Sequence, residues 1–274
     1  DYSFLRGSFE TRAVDPGGEL VFGNQPFDKH RFNLNGSYLL TGRDGISVVG
    51  SLEDVVYDAE GFYDYTRTSY GGGWVRQLSP LLVMDLIYRR NDYDATGTLA
   101  FRSYTSDDVT LGLRGNVTPT LTSGMSIGWR STDHVQSDDP TSPEDFSGLI
   151  ASGDLTLEMA HGGSLALNIR RSEFPSAYAD NAYYVSTGAA LSYRLTQGNL
   201  TGDVGFRIQS NDYDVDQAVT TARTDDLTTF SAGLGFRLTE LLSLRGGYLY
   251  EKRDSDAGFS YDSSIINVGL VYGF

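Results

Sequence analysis

Catalysis in this chain would fall first to its histidines, and there are only 3. Peptide hydrolysis at a protein rim needs His and Asp pairs facing one another, and lipid-ester hydrolysis needs a Ser and a His as nucleophile and base. His134 beside Asp133 is the one candidate, since His30 falls near the same rim without such a neighbour and His161 sits in a turn. No spacing supplies His134 with a second partner, so it reads as a solvated rim residue, and no catalytic residue is expected. With 0 Cys, disulfides and thiolate metal sites are excluded. Gly71-Gly72-Gly73 has no helix after it and cannot be a phosphate loop.

Oxygen ligands are more plentiful. Arg89-Arg90-Asn91-Asp92-Tyr93-Asp94 and Arg207-Ile208-Gln209-Ser210-Asn211-Asp212-Tyr213-Asp214 echo each other, and Lys252-Arg253-Asp254-Ser255-Asp256 is a looser copy. Asp138, Asp139, Glu144 and Asp145 add further acids. Clustered carboxylates can hold Ca²⁺ or bridge to surface glycolipid through divalent ions, but no EF-hand or Gly-Asp repeat spacing is present. These acids are expected to be solvated, mutually repelling loop residues, so neither a metal nor a cofactor is expected.

The third set is arginine, and it recurs with a strand's period. Side chains alternate across a strand, so a residue's parity fixes its face. One face carries Arg6, Arg12, Arg31, Arg89, Arg114, Arg130, Arg170, Arg194, Arg207, Arg237 and Arg245 against Glu10, Glu53, Asp85, Asp154, Glu158, Asp203 and Glu251. Gly, Ser and Thr fill the same face, while Leu, Val, Ile, Phe and Tyr fill the other. The 200–209 segment shows the pattern: Leu200, Val204, Phe206 and Ile208 oppose Thr201, Asp203, Gly205, Arg207 and Gln209.

Fourteen such segments follow one another, and the parity of the one around 66–78 is left open by Gly71-Gly72-Gly73 and Trp74. Six connections are very short, namely 43–45, 78–80, 118–120, 161–163, 197–199 and 240–241, with the composition of tight turns. Seven are longer, at about 15–28, 59–65, 92–106, 137–144, 175–182, 218–225 and 255–260. Short turns at one end and long loops at the other, on an even number of strands, are the habit of outer-membrane barrels. Two aromatic girdles fit the same picture: Tyr2, Phe4, Tyr38, Tyr193, Phe236, Tyr272 and Phe274 toward the turn end, and Tyr57, Tyr88, Trp129, Tyr178, Tyr183, Tyr213, Tyr248 and Tyr250 toward the loop end.

Composition agrees. The 274 residues include 32 Gly, 18 Tyr and 14 Phe but are only 39% hydrophobic, too few apolar residues for a two-sided soluble core. No run is apolar and long enough for a membrane helix, so a membrane could be crossed only by strands closed into a barrel. The net charge of −15 makes nucleic acid an improbable partner. The chain opens on Asp1-Tyr2-Ser3 with no charged-then-apolar leader and reads as a mature or trimmed chain. Its final strand sets Ile266, Val268, Leu270, Tyr272 and Phe274 against Asn267, Gly269, Val271 and Gly273. Asn267, Gly269, Tyr272 and Phe274 fill every slot of the C-terminal signal by which outer-membrane barrels are recognised for assembly.

The second half, about 146–274, resembles the β-barrel porin family found beside exopolysaccharide and exosortase gene clusters. The resemblance is carried by Leu191-Ser192-Tyr193-Arg194-Leu195-Thr196, Gly233-Leu234-Gly235-Phe236-Arg237-Leu238-Thr239, Gly247-Tyr248-Leu249-Tyr250-Glu251-Lys252-Arg253-Asp254-Ser255 and the last strand. It implies an outer-membrane location and a part in polysaccharide export.

The expectation is therefore an all-β fold: one transmembrane antiparallel up-and-down β-barrel of about 14 strands over residues 1–274, in the bacterial outer membrane. Its pore-lining residues are expected to be Arg31, Arg89, Arg114, Arg130, Asp154, Glu158, Arg170, Arg194, Asp203, Arg207, Arg237 and Arg245. Two readings of that wall stand: a mildly cationic surface favouring anions or neutral polar solutes, or charges that pair across strands and stiffen a hydrated lumen. Loop 92–106, with Leu99, Phe101 and Tyr104, either folds into the lumen or lies over the rim. The function expected is passive diffusion of small polar or anionic solutes. A polysaccharide export conduit and a structural barrel are the alternatives. Expected partners are outer-membrane lipid and lipopolysaccharide, the barrel-assembly machinery and, for an export conduit, periplasmic export proteins.

Overall fold

A computed structural model describes residues 2–9, 13–14, 20–21, 25–57, 64–96, 103–135, 145–176, 183–213, 223–258 and 260–272. Its strands are β1 (Tyr2–Phe9), β2 (Ala13–Val14), β3 (Leu20–Val21), β4 (Gln25–Leu39), β5 (Asp44–Tyr57), β6 (Tyr65–Ser79), β7 (Leu82–Ala95) and β8 (Tyr104–Asn116). They continue as β9 (Leu121–His134), β10 (Phe146–Met159), β11 (Gly163–Pro175), β12 (Tyr183–Gln197), β13 (Leu200–Tyr213), β14 (Arg223–Arg237), β15 (Leu242–Ser255) and β16 (Tyr261–Tyr272). β2 and β3 pair with each other, and the other 14 form one sheet in which every strand pairs antiparallel with its neighbours in sequence. Among the described residues no ladder joins β1 to β16. This is the meander of an up-and-down barrel.

The two faces of the sheet are those of a membrane barrel. Leu234 is 65% and Leu270 66% exposed, and Ile46, Leu86, Phe206, Phe236 and Tyr272 join them on the apolar outer face. Glu53, Asp85, Asp108, Thr132 and Asn211 are buried on the opposite one. Exposed hydrocarbon and buried polar groups invert the arrangement of a water-soluble domain, because lipid is the outer solvent. Strands of about 9–11 tilted residues cross a bilayer core. β7 has 14 residues and β12 has 15, so each projects beyond it.

Register settles the strand whose parity the pattern left open. Trp74 stands opposite Leu86 and Ile46 on the outer face, which puts Arg67, Gly71, Gly73 and Val75 inside. Glycine is required there by close approach: a Cβ at Gly73 would lie 2.0 Å from the carbonyl oxygen of Leu86.

Three of the short turns share one device. Thr41 Oγ1 accepts the backbone N–H of Asp44 at 2.9 Å, Thr118 Oγ1 that of Leu121 at 3.0 Å, and Thr239 Oγ1 that of Leu242 at 3.0 Å. A hydroxyl that accepts the N–H three residues on holds the chain in a tight reversal, and in the Thr118 and Thr239 turns it does so without a glycine.

The structure shortens three expected loops, since β4 already begins at Gln25, β7 runs on to Ala95 with β8 beginning at Tyr104, and β14 begins at Arg223. It also removes Tyr183 and Tyr213 from the outer girdle, because both are buried among inward-facing groups. Tyr88, Trp129 and Tyr248 are exposed on the outer face. Tyr178 and Phe274 lie outside the described residues.

Phe206, midway along β13, tests which solvent the outer face meets. Phe206→Arg should cost about 2–4 kcal/mol in lipid vesicles, the cost of a cation at the bilayer midplane. Ser192→Arg, on the polar face, should cost far less. Denaturant titrations of the refolded protein would read both.

Candidate functional site

At the loop end the inner face carries a row of stacked rings, one from each of several strands. Tyr65 of β6 lies 5.0 Å from Tyr93 of β7, Tyr93 4.9 Å from Tyr104 of β8, and Tyr104 5.4 Å from His134 of β9. The register places them together, since Tyr93 opposes Tyr104 and Tyr104 opposes His134. Arg67 sits over the Tyr93 ring at 5.6 Å. Charges interleave with the rings. Arg130 holds Asp108 through Nε and Nη2 at 2.7 and 2.8 Å, a two-pronged contact. Glu53 takes Lys29 at 3.0 Å, Arg31, and the Tyr65 hydroxyl at 3.1 Å.

The row ends where the wall parts between β10 and β11. The β10–β11 ladder stops at Ala151↔Arg171, although β11 runs on to Pro175 and stays paired with β12 as far as Pro175↔Tyr183. Glu173 shares the strand face of Leu165, Leu167 and Ile169, so an unbroken wall would have pointed it outward. Instead its Oε2 accepts the Thr132 hydroxyl at 2.6 Å, and its backbone carbonyl accepts Arg130 Nη1 at 3.3 Å. Tyr183 stacks on His134 at 5.1 Å and meets the Phe146 ring edge-on at 6.0 Å. The outer-parity face of the β11–β12 tip therefore packs on the inner faces of β9 and β10. On its other face Phe174 stacks on Tyr184, and Tyr184 lies 5.2 Å from Tyr213. Tyr184 is 0% and Glu173 5% exposed. The tip is held against the inner face of the wall at its loop end.

This clasp was not foreseen from the sequence. Its acids, Asp108 and Glu173, attract no attention until register puts them beside Arg130. The readable sign was aromatics on the polar parity at the loop ends of consecutive strands. His134, expected as a solvated residue, is buried between Tyr104 and Tyr183 with its side chain 1% exposed. Asp133 is exposed on the other face, so the two cannot act as a hydrolytic pair. Of loop 92–106, Tyr104 belongs to the inner wall, while Leu99 and Phe101 lie outside the described residues, as do Asp138, Asp139 and Glu144.

Arg31, Arg89, Arg114, Arg130, Asp154, Glu158, Arg170, Arg194, Asp203, Arg207, Arg237 and Arg245 all fall on the polar parity. Some are engaged: Arg31 with Glu53, Arg114 with Asp85 at 3.0 Å, Arg130 with Asp108, Asp154 with the Asn168 amide at 2.6 Å, and Arg170 over the Phe174 ring at 4.5 Å. By register Arg89 opposes Gly71, Glu158 opposes Ser164, Arg194 opposes Asp203, Arg207 opposes Thr229, Arg237 opposes Ser243 and Arg245 opposes Gly235. Asn267 and Gly269 share that face opposite Gly247 and Arg245, Tyr272 points outward opposite Leu242, and Phe274 lies outside the described residues.

A fourteen-stranded antiparallel meander, apolar outside and polar within, with tight turns at one end, defines a bacterial outer-membrane β-barrel. The chain belongs to the family described as Putative beta-barrel porin 2, whose profile matches residues 53–274. The match reaches well before the 146–274 stretch whose motifs carried the resemblance. No curated protein sequence matches the chain. Among solved structures it is similar to the FrpB iron transporter of Neisseria meningitidis, with a TM-score of 0.56 and 10% identity, covering 100% of this chain and 53% of that one. It is also similar to the copper transporter OprC, with a TM-score of 0.53 and 10% identity, covering 99% of this chain and 60% of that one. At such identity the likeness shows the fold alone. The chain spans little more than half the length of these transporters.

Glu173→Ala should free the hairpin tip, since a lost hydrogen bond in a buried polar cluster costs about 1–3 kcal/mol. Hydrogen exchange of the amides of Ser172, Glu173, Phe174 and Ser176 is then expected to accelerate about ten- to a hundredfold, with exchange at the turn end of β11 unchanged.

Proposed function

We propose that the barrel is a porin-like channel for passive diffusion of small polar or anionic solutes, acting by conduction with no catalytic step. The observation that carries this reading is the polar inner face on the turn side of the aromatic row, where Gly, Ser and Thr stand among arginines from strand to strand. Eight-stranded barrels are filled by their own side chains, and barrels of about sixteen strands leave an aqueous channel. With 14 strands and small inner residues such as Gly205, Ser231, Gly233 and Gly235, this barrel has room for water. The expectation that its charges pair holds for part of the wall, and the proposal is that the remaining arginines act on solutes. Arg31, Arg114 and Arg130 pair, and among the described residues Arg194, Arg237 and Arg245, at the turn end of β12–β15, do not.

Purified protein in planar bilayers should give steady open-channel steps whose reversal potential in a KCl gradient shows a preference for chloride. Silence from correctly folded protein would overturn passive diffusion in favour of a gated conduit or a scaffold.

A further inference from the structure

The charges on the inner wall are not evenly neutralised. At the loop end Arg130 is tied to Asp108, Arg253 and Arg223 share buried Asp225, and Glu53 takes both Lys29 and Arg31. At the turn end of β12–β15 the situation reverses. Arg194, Arg237 and Arg245 border one concavity of about 490 Å³, together with Thr201, Asp203 and Asn267. Among the described residues none of these three guanidinium groups has an ion pair or a side-chain hydrogen bond. Asp203 is the one acid on the lining, so the patch carries an excess of positive charge.

Glycine shapes this wall. A Cβ at Gly233 would lie 2.7 Å from Asp203 Oδ1, and one at Gly247 2.7 Å from Asn267 Oδ1. The Asp203 and Asn267 side chains therefore lie flat over the neighbouring strand, held down where a larger residue would push them away. The register sets Arg194, Asp203, Gly233, Gly247 and Asn267 in one row across five strands, with Arg245 and Gly235 in the adjacent row toward the turns. The arginines are left as the groups free to meet a solute.

We infer that this concavity is a binding site for small multivalent oxyanions, phosphate- or carboxylate-bearing, entered from the short-turn end of the barrel. A guanidinium presents a planar fork of donors matched to two oxygens of such a group, and unpaired forks converging on one concavity favour a ligand of more than one charge. In an outer-membrane barrel the short turns face the periplasm, so the site opens there, while the clasped hairpin stands at the other mouth. This inference rests on the reading of the polar face as a water-filled lumen, and it replaces a diffuse cationic field with a located site.

The test separates binding from conduction. The full chain, refolded in detergent micelles, is titrated calorimetrically with inorganic pyrophosphate and separately with citrate. Saturable binding is expected. The combined variant Arg194→Gln, Arg237→Gln, Arg245→Gln should bind at least tenfold more weakly, and the single variants should weaken binding by smaller factors. Lys252→Gln, which removes a charge from the outer face, should bind as the unaltered protein does. A preference between the two probes distinguishes phosphate from carboxylate recognition. In planar bilayers pyrophosphate added at the short-turn side should reduce chloride current through the unaltered protein and leave the triple variant's current untouched. Absence of binding, unchanged affinity in folded single and triple variants, or equal loss in Lys252→Gln overturns the site. Saturable binding without any current overturns the channel reading and leaves the site standing.

Discussion

The backbone hydrogen bond is what this fold depends on, because hydrocarbon offers nothing else to a peptide N–H or C=O. Each strand from β4 to β15 gives its donors and acceptors to both neighbours, and each is its neighbour in sequence as well. Tight turns follow from that connectivity, and so does the saving in sequence, since a two- or three-residue reversal sets the register of the next dozen pairs. The threonines at 41, 118 and 239 tie three of these reversals to side chains on the strand ends themselves. The same constraint bears on the outermost strands, β1 and β16, each of which pairs with a sheet neighbour on one edge only. In lipid each needs a partner for its second edge.

Once the backbone is satisfied by the ring, side chains divide by solvent alone. The outer face has only to be apolar, which is why Leu234, Phe236, Leu270 and Tyr272 are interchangeable in kind and exposed. The inner face has to remain hydrated and keep its charges from collapsing onto one another. Two solutions coexist. Near the loops, acids and arginines are brought to within hydrogen-bonding distance and buried with aromatic rings, which stiffens the wall. Near the turns of β12–β15, glycine lets Asp203 and Asn267 lie flat, and among the described residues three guanidinium groups carry no ion pair.

Most of the architecture was legible because it is written in parity. An alternation of period two, repeated fourteen times, fixes which face each residue takes, and the contrast between turn and loop lengths fixes which end is which. What parity could not reveal is anything that depends on neighbours two strands away. The run Gly71-Gly72-Gly73 has no side chains to alternate, so only the pairing of Trp74 with Leu86 assigns it. Tyr93, Tyr104 and His134 are far apart in sequence and become one row only through register. His134 read as solvated because no spacing in the sequence gave it a second partner, yet register sets it between Tyr104 and Tyr183.

Glu173 shows where parity itself fails, and the reason is the constraint already named. A strand can leave its neighbour only where something other than lipid can meet the freed backbone. The β10–β11 ladder ends at Ala151↔Arg171, at the loop end of strands too long for the bilayer core, where water and side chains replace hydrocarbon. There Arg130 donates to the backbone carbonyl of Glu173, a service that no group could perform at the bilayer midplane. β12 stays paired with β11 as far as Pro175↔Tyr183 and with β13 as far as Tyr184↔Tyr213, so only the β10-facing edge of β11 is released. The freedom of the wall to part at its mouth is thus a consequence of strand length: residues beyond those needed to cross the membrane are released from the rule that holds the rest of the wall together.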